Sequence, residues 1–184
     1  PREESLERAE RLLGMLGAVD QEGLINRVGL RMSRYPLSPR AARLLEAADK
    51  EGCLAEACFV AAVLQAEGVF TRKASKAQRA AFQGDRDGSD FEAEWRACEE
   101  AERMRFDPVR CGELGIHARQ ARDILKTWKQ LCSLAGRPSI RPSHMAMDEL
   151  REPLGRAVLA AYADHVAVRN SKGSMACRVT SGRR

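Results

Sequence analysis

Aromatic residues make up only 5% of this 184-residue sequence, and Ala and Leu dominate its apolar set. Sheets draw on aromatic and β-branched side chains, so this composition points to helices. No apolar run reaches 18 residues, which excludes a membrane-crossing helix. No charged segment followed by an apolar one opens the chain, so no signal peptide is expected. None of the six cysteines (Cys53, Cys58, Cys98, Cys111, Cys132, Cys177) forms a C-x-x-C pair. Zinc sites usually rely on such paired spacing, so no metal is expected and reduced thiols in a cytoplasmic protein are the simplest reading. The phosphate loop G-x-x-x-x-G-K-S/T is also missing. Without its amides and lysine to cradle phosphates, and an acid for magnesium, this chain alone is not expected to hydrolyse ATP, and no residue is assigned as catalytic.

What is present is a large apolar fraction, 44%, and a net charge of +5 that is unevenly placed. Residues 1–135 balance 22 bases with 22 acids, whereas 136–184 hold nine bases and four acids. Residues 27–43 carry Arg27, Arg31, Arg34, Arg40 and Arg43 and no acid, while 85–107 carry nine acids against four bases. Such segregation suits one face turned to phosphate and another to solvent or a basic neighbour; ordinary solvated faces explain it equally well.

Periodicity predicts a helix over 3–16, stopped by Gly17, and a turn at 20–23. A short extended segment at 24–26 follows, then a helix over 27–34. Ser38 and Pro39 are the N-cap and first residue of a helix over 39–50. Two or three short helices with a small β-element make a winged-helix-like pattern. Further helices are expected over 54–66, 72–82, 90–105 and 115–134, with a loop at 84–88 and a break at Asp107-Pro108. Three prolines mark 137–153 as a linker. A short helix over 153–163 then leads to a hairpin, 166–168 against 176–179, turned by Asn170-Ser171-Lys172-Gly173. The fold class is therefore mainly α: a winged-helix-like unit over 1–50, a helical bundle over 51–136, the linker, and the start of a β-domain over 154–184. Pro1 and the immediate helical pattern read as a segment of something longer.

On the 115–134 helix, Ala118, Ala121, Leu125, Trp128 and Cys132 build one apolar stripe, and Arg119, Arg122, Lys126 and Lys129 a parallel basic one. Cations in a row can hold a phosphate backbone without reading sequence; a solvated face is the plain alternative. Arg27, Arg31 and Arg34 recur at i, i+4 and i+7 and could meet a groove. Trp95 and Trp128 could stack on bases, but both sit on apolar stripes and are expected in the core. His117, His144 and His165 show no metal or triad spacing.

One string is highly specific: Leu16-Gly17-Ala18-Val19-Asp20, Gly23-Leu24-Ile25, Gly29, Met32, Tyr35-Pro36-Leu37, Pro39-Arg40, Ala42 and Leu44-Leu45. It resembles the start of the helicase-associated region of DEAH-box RNA helicases, with Asn26 in place of the usual Thr. Gly88-Ser89-Asp90-Phe91, Trp95, Phe106, Cys111, Gly115-Ile116, Arg119, Arg122 and Gln130-Leu131 resemble the ratchet bundle of the same proteins. Leu159 to Ala167 and Thr180-Ser181-Gly182-Arg183 resemble the opening of their OB-like β-barrel, nearest the bacterial HrpB branch.

The resemblance implies an accessory, non-motor region that guides single-stranded RNA and buttresses motor domains, with ATP and magnesium held in the parent motor and none here. It implies RNA contact at Arg119, Arg122, Lys126 and Lys129. Motor docking is expected at Arg27, Arg31, Arg34 and Arg40, and the acidic segment could receive a protein activator. The rival readings are a freestanding winged-helix DNA-binding regulator and a helical protein-interaction adaptor.

Overall fold

The computed structural model describes residues 3–84, 89–137, 144–174 and 176–179. In chain order the helices are α1 (Glu3–Met15), α2 (Arg27–Met32), α3 (Pro39–Glu51), α4 (Leu54–Ala66), α5 (Lys76–Ala80), α6 (Asp90–Arg103), α7 (Pro108–Glu113), α8 (Ala118–Leu134) and α9 (His144–Tyr162). A 3-10 turn at Ala163–His165 leads to strands β1 (Ala167–Arg169) and β2 (Cys177–Val179). The mainly helical class holds. No helix among the described residues is long and apolar enough to cross a membrane. The chain forms two compact units, Pro1–Cys53 with Asp148–Arg184, and Leu54–Met147.

In the first unit, local chemistry sets each boundary. Gly17 adopts φ 65, which only glycine reaches without strain, and ends α1. Asp20 accepts hydrogen bonds from the Glu22 and Leu24 amides (3.1 and 2.8 Å), closing the turn that lets Val19 bridge Ile25. Asn26 caps α2 by accepting from Val28 and Gly29 (2.9 and 3.1 Å), and its amide donates to the Gly17 carbonyl (2.9 Å). Asparagine thus supplies the cap a threonine would, and adds a donor that threonine places differently. Ser38 caps α3, Pro39 opens it, and left-handed Gly52 (φ 76) closes it. Leu16, Ala18, Met32 and Ala42 form the core, with Leu12, Leu13, Val28, Tyr35 and Leu37 packed around them.

The 137–153 linker is the main correction. Residues 144–153 are helical, and Pro153 lies inside α9 rather than at its start. Proline removes one helical hydrogen bond but leaves the rest of a 19-residue helix intact, so its presence does not fix a boundary. Residues 138–143 of that expected linker, 85–88 of the expected loop, and the Thr180–Arg183 string lie outside the described residues. The hairpin forms with Ala167 opposite Val179 and Arg169 opposite Cys177, turned through Gly173 at φ 84.

In the second unit, α4 packs against α8 and α8 against α6. Alanines on α4 let the backbones approach closely, and seven of its residues from Ala57 to Val63 are buried. Phe59, Trp95 and Trp128 meet edge-to-face, with Trp95 and Trp128 centroids 5.0 Å apart, as the stripes implied. The Trp128 indole N–H donates to the Ala55 carbonyl at 2.9 Å. Cys58 and Cys132 hydrogen-bond to each other, which with burial pushes the Cys58 thiol up. Burial pushes Cys98 up as well, so these thiols behave as small hydrophobes.

Three boundaries differ from expectation. Helix α8 begins at Ala118 rather than at 115, because Gly115 is left-handed (φ 74) and His117 is the cap. The helix expected over 72–82 shortens to α5, because Thr71 donates to Gly115 (2.8 Å) and His117 to Val69 (2.9 Å), drawing 69–71 into a bridge. Ser75 and Gln78 then form a capping box. Asp107-Pro108 does not merely break a helix: Asp107 accepts from the Arg110 amide (2.9 Å) and Pro108 starts α7.

Candidate nucleic-acid interface

Buried positions on α8 (Ala118, Ala121, Ile124, Leu125, Trp128, Leu131, Cys132) cover one side of the helix, as the stripe required. Ile124 and Leu131 join it. His117 caps α8 through its ring nitrogen, Nδ1, accepting from the Gln120 amide at 3.3 Å, a structural role.

Arg119, Arg122, Lys126 and Lys129 are all exposed on the neighbouring edge. With 3.6 residues per turn they fall within one narrow arc, spanning ~15 Å along the axis. The Arg119 side chain is 87% exposed and, among the described residues, pairs only with Asp123, at 3.8 Å. Arg122 lies over the Phe106 ring, 5.0 Å from its centroid. Lys129 sits 3.9 Å from Glu102. Exposed pairs this long contribute little and exchange readily for a phosphate.

Beside the row runs an open groove of about 440 Å³, lined by Glu102, Phe106, Arg122, Leu125, Lys126, Lys129, Gln130 and Ser133. Its wall depends on a strained turn. Arg105 and Phe106 both adopt left-handed φ (55 and 58), and Phe106 donates to the Ala101 carbonyl at 2.7 Å. Left-handed backbone at a bulky side chain costs roughly 1–3 kcal/mol. Here it turns the chain back on α6 and sets an aromatic ring beneath a guanidinium. Sequence reasoning missed Phe106 and Glu102 as groove residues; the Phe106 position stood only within the family string.

The arginines of 27–43 divide. Arg31 donates to Glu46 through Nε (2.9 Å) and more closely through a second nitrogen, joined there by Arg43 (2.7 Å) and Lys50 (2.9 Å). Arg40 clamps Asp164 with two nitrogens (2.7 and 2.6 Å), donates to Ala161 (2.8 Å) and lies over Tyr162. Arg31 and Arg40 are therefore engaged within their own unit, whereas Arg27 and Arg34 are exposed.

Burial alone would raise the Glu46 carboxyl, but hydrogen bonds from Arg31 and Lys50 and the charges of Lys50 and Arg43 outweigh it, leaving it below the ordinary value of 4.5. A depressed folded pKa contributes stability that is present above the ordinary carboxylate value and is lost as pH falls through the folded one. Glu46→Gln is expected to cost about 2 kcal/mol at neutral pH and to flatten the acid side of the stability profile. Urea midpoints, followed by circular dichroism at neutral pH and in the acid limb, check this; equal pH slopes for both proteins would contradict it.

Family models match this arrangement in two adjoining stretches. Residues 9–37 match the winged-helix part of the helicase-associated domain, and 38–110 its ratchet-like part. The chain belongs to the helicase-associated domain family of DEAH-box RNA helicases. It is 36% identical over 75 residues to a putative ATP-dependent RNA helicase of Schizosaccharomyces pombe, covering 41% of this chain and 6% of that protein. To the ATP-dependent RNA helicase DHX33 of Drosophila melanogaster it is 34% identical over 84 residues, 45% of this chain and 12% of that one. To the pre-mRNA-splicing factor ATP-dependent RNA helicase prp22 of S. pombe it is 28% identical over 168 residues, 85% of this chain and 13% of that one. The chain thus spans only 6–13% of the length of these relatives. The family boundary at 37/38 and the compact boundary at Cys53/Leu54 differ by α3, which packs against α2.

Proposed function

We propose that this chain is the RNA-guiding accessory region of an ATP-dependent DEAH-type helicase, acting beside motor domains that hold ATP and magnesium. The observation that carries the reading is the row Arg119, Arg122, Lys126 and Lys129 along a groove with Phe106 in its wall. Cations hold phosphates regardless of sequence, which suits a strand that must slide. Docking against a motor domain falls to Arg27 and Arg34, the arginines left exposed. The same distribution weighs against a duplex-reading regulator, because Arg31, central to that α2 face, is held by Glu46.

Reversing all four α8 cations to glutamate is expected to abolish most binding of single-stranded oligouridylate. The slope of log affinity against log salt should fall by about 3, at roughly 0.7 per phosphate. Fluorescence anisotropy across a salt series measures both. Unchanged affinity and slope would overturn the reading, and preference for duplex DNA in competition would favour the regulator.

A further inference from the structure

A second cationic segment lies at the N-terminal end of α8. Residues 68–84 contain Arg72, Lys73, Lys76 and Arg79 and no acid. Their position relative to α8 is set by backbone bonding. Val69 accepts from His117, Thr71 donates to Gly115, and Phe70 bridges Ile116. The Gln78 side chain donates to the Glu113 carbonyl at 2.8 Å. Gly115 is part of the lock: at φ 74, a Cβ there would come within 2.9 Å of Ala74 and 3.2 Å of Gln78. Arg72 thus follows directly on a residue bonded to Gly115, two positions before the cap of α8 and four before Arg119.

These cations are not all equally available. Arg79 lies over Phe70, 5.1 Å from its centroid, and donates to the Thr71 carbonyl at 3.2 Å, with the Glu94 charge nearby. Arg72, Lys73 and Lys76 are exposed and, among the described residues, have no carboxylate partner. The carboxylate bonded to this segment is Glu94, which accepts from the Val69 amide at 2.6 Å, at the opposite end from Lys76. Three cations without an acid partner among the described residues, on one rigidly bonded segment, repel each other, and an anion relieves that repulsion.

We propose that Arg72, Lys73 and Lys76 form a second phosphate contact that extends the α8 track, so that one RNA strand runs from the α8 row onto this segment. The proposal rests on RNA binding at α8. The track along α8 alone covers ~15 Å; the added segment lengthens the strand the unit holds. It requires only phosphate chemistry and implies no base preference.

The test uses the 184-residue chain and oligouridylates from about 4 to about 16 nucleotides, a range spanning known single-strand site sizes. Arg72→Glu, Lys73→Glu and Lys76→Glu are introduced together. Wild type is expected to gain affinity with length beyond the point where the triple variant levels off. For the longest oligomer the variant should bind about tenfold more weakly or worse, with its salt slope reduced by about 2, while the shortest is bound as by wild type. Circular dichroism of the variant checks that its fold is intact, as expected for substitutions at exposed positions. Equal affinity of both proteins for the longest oligomer overturns the extended track and leaves α8 binding standing. Equal weakening at every length also overturns it, since that marks a general charge effect. If wild type binds no oligomer, the α8 reading itself fails and this one with it.

Discussion

Replacing Trp128 with alanine is expected to destabilise the second unit by about 3–5 kcal/mol, the largest loss of any single truncation in it. The side chain is 1% exposed and is the largest fully buried one in the chain. Three contributions vanish together: its packing between α4 and α6, its edge-to-face contacts with Phe59 and Trp95, and its hydrogen bond to the Ala55 carbonyl. That carbonyl would be left beside a cavity. Trp128→Phe separates the terms, because it keeps an aromatic ring but no donor; it should cost about 1–3 kcal/mol. Urea unfolding followed by circular dichroism measures both. A loss under about 1 kcal/mol for Trp128→Ala would show that α4 and α8 do not depend on this contact.

Gly29→Ala is expected to damage the first unit by a different route, at a cost of about 3 kcal/mol or more. In an open helix the exchange would gain up to about 1 kcal/mol, because alanine is the better helix former. Here a Cβ would stand 2.2 Å from the Ala18 carbonyl oxygen and 2.7 Å from Ile25. The carbonyl cannot simply move, since it accepts from the Asn26 backbone N–H at 3.1 Å and so sets the cap of α2. Gly14 on α1 provides the control: nothing lies within 4 Å of its added Cβ, and Gly14→Ala should stabilise slightly. The two variants should therefore shift the thermal midpoint in opposite directions. Shifts of the same sign would refute the clash.

The features legible in the sequence were those built from near neighbours. The apolar and basic stripes of α8 repeat every three or four positions, and Ser38-Pro39 is a cap and first-turn pair by chemistry alone. What escaped depended on residues far apart. Glu46 lies 15 positions from Arg31, and Asp164 lies 124 from Arg40. No local pattern says that these arginines face inward. Phe106 escaped for another reason: its place in the groove follows from two consecutive left-handed residues, which no periodicity announces. For α7 the signals are present: Asp107-Pro108 stops one helix and, as a cap and first-turn pair, also starts the next. Pro153 misleads in the opposite sense, since it sits inside α9 and marks no boundary.

The placement of the aromatic residues has a practical consequence. The only two tryptophans, Trp95 and Trp128, belong to the second unit, and the only two tyrosines, Tyr35 and Tyr162, to the first. The chain therefore carries its own pair of optical labels. Indole emission reports on the unit bearing the α8 row alone, and the tyrosine component of the second-derivative absorbance spectrum, separated from the indole bands, on the winged-helix unit. The melting of each can be followed in one unmodified sample.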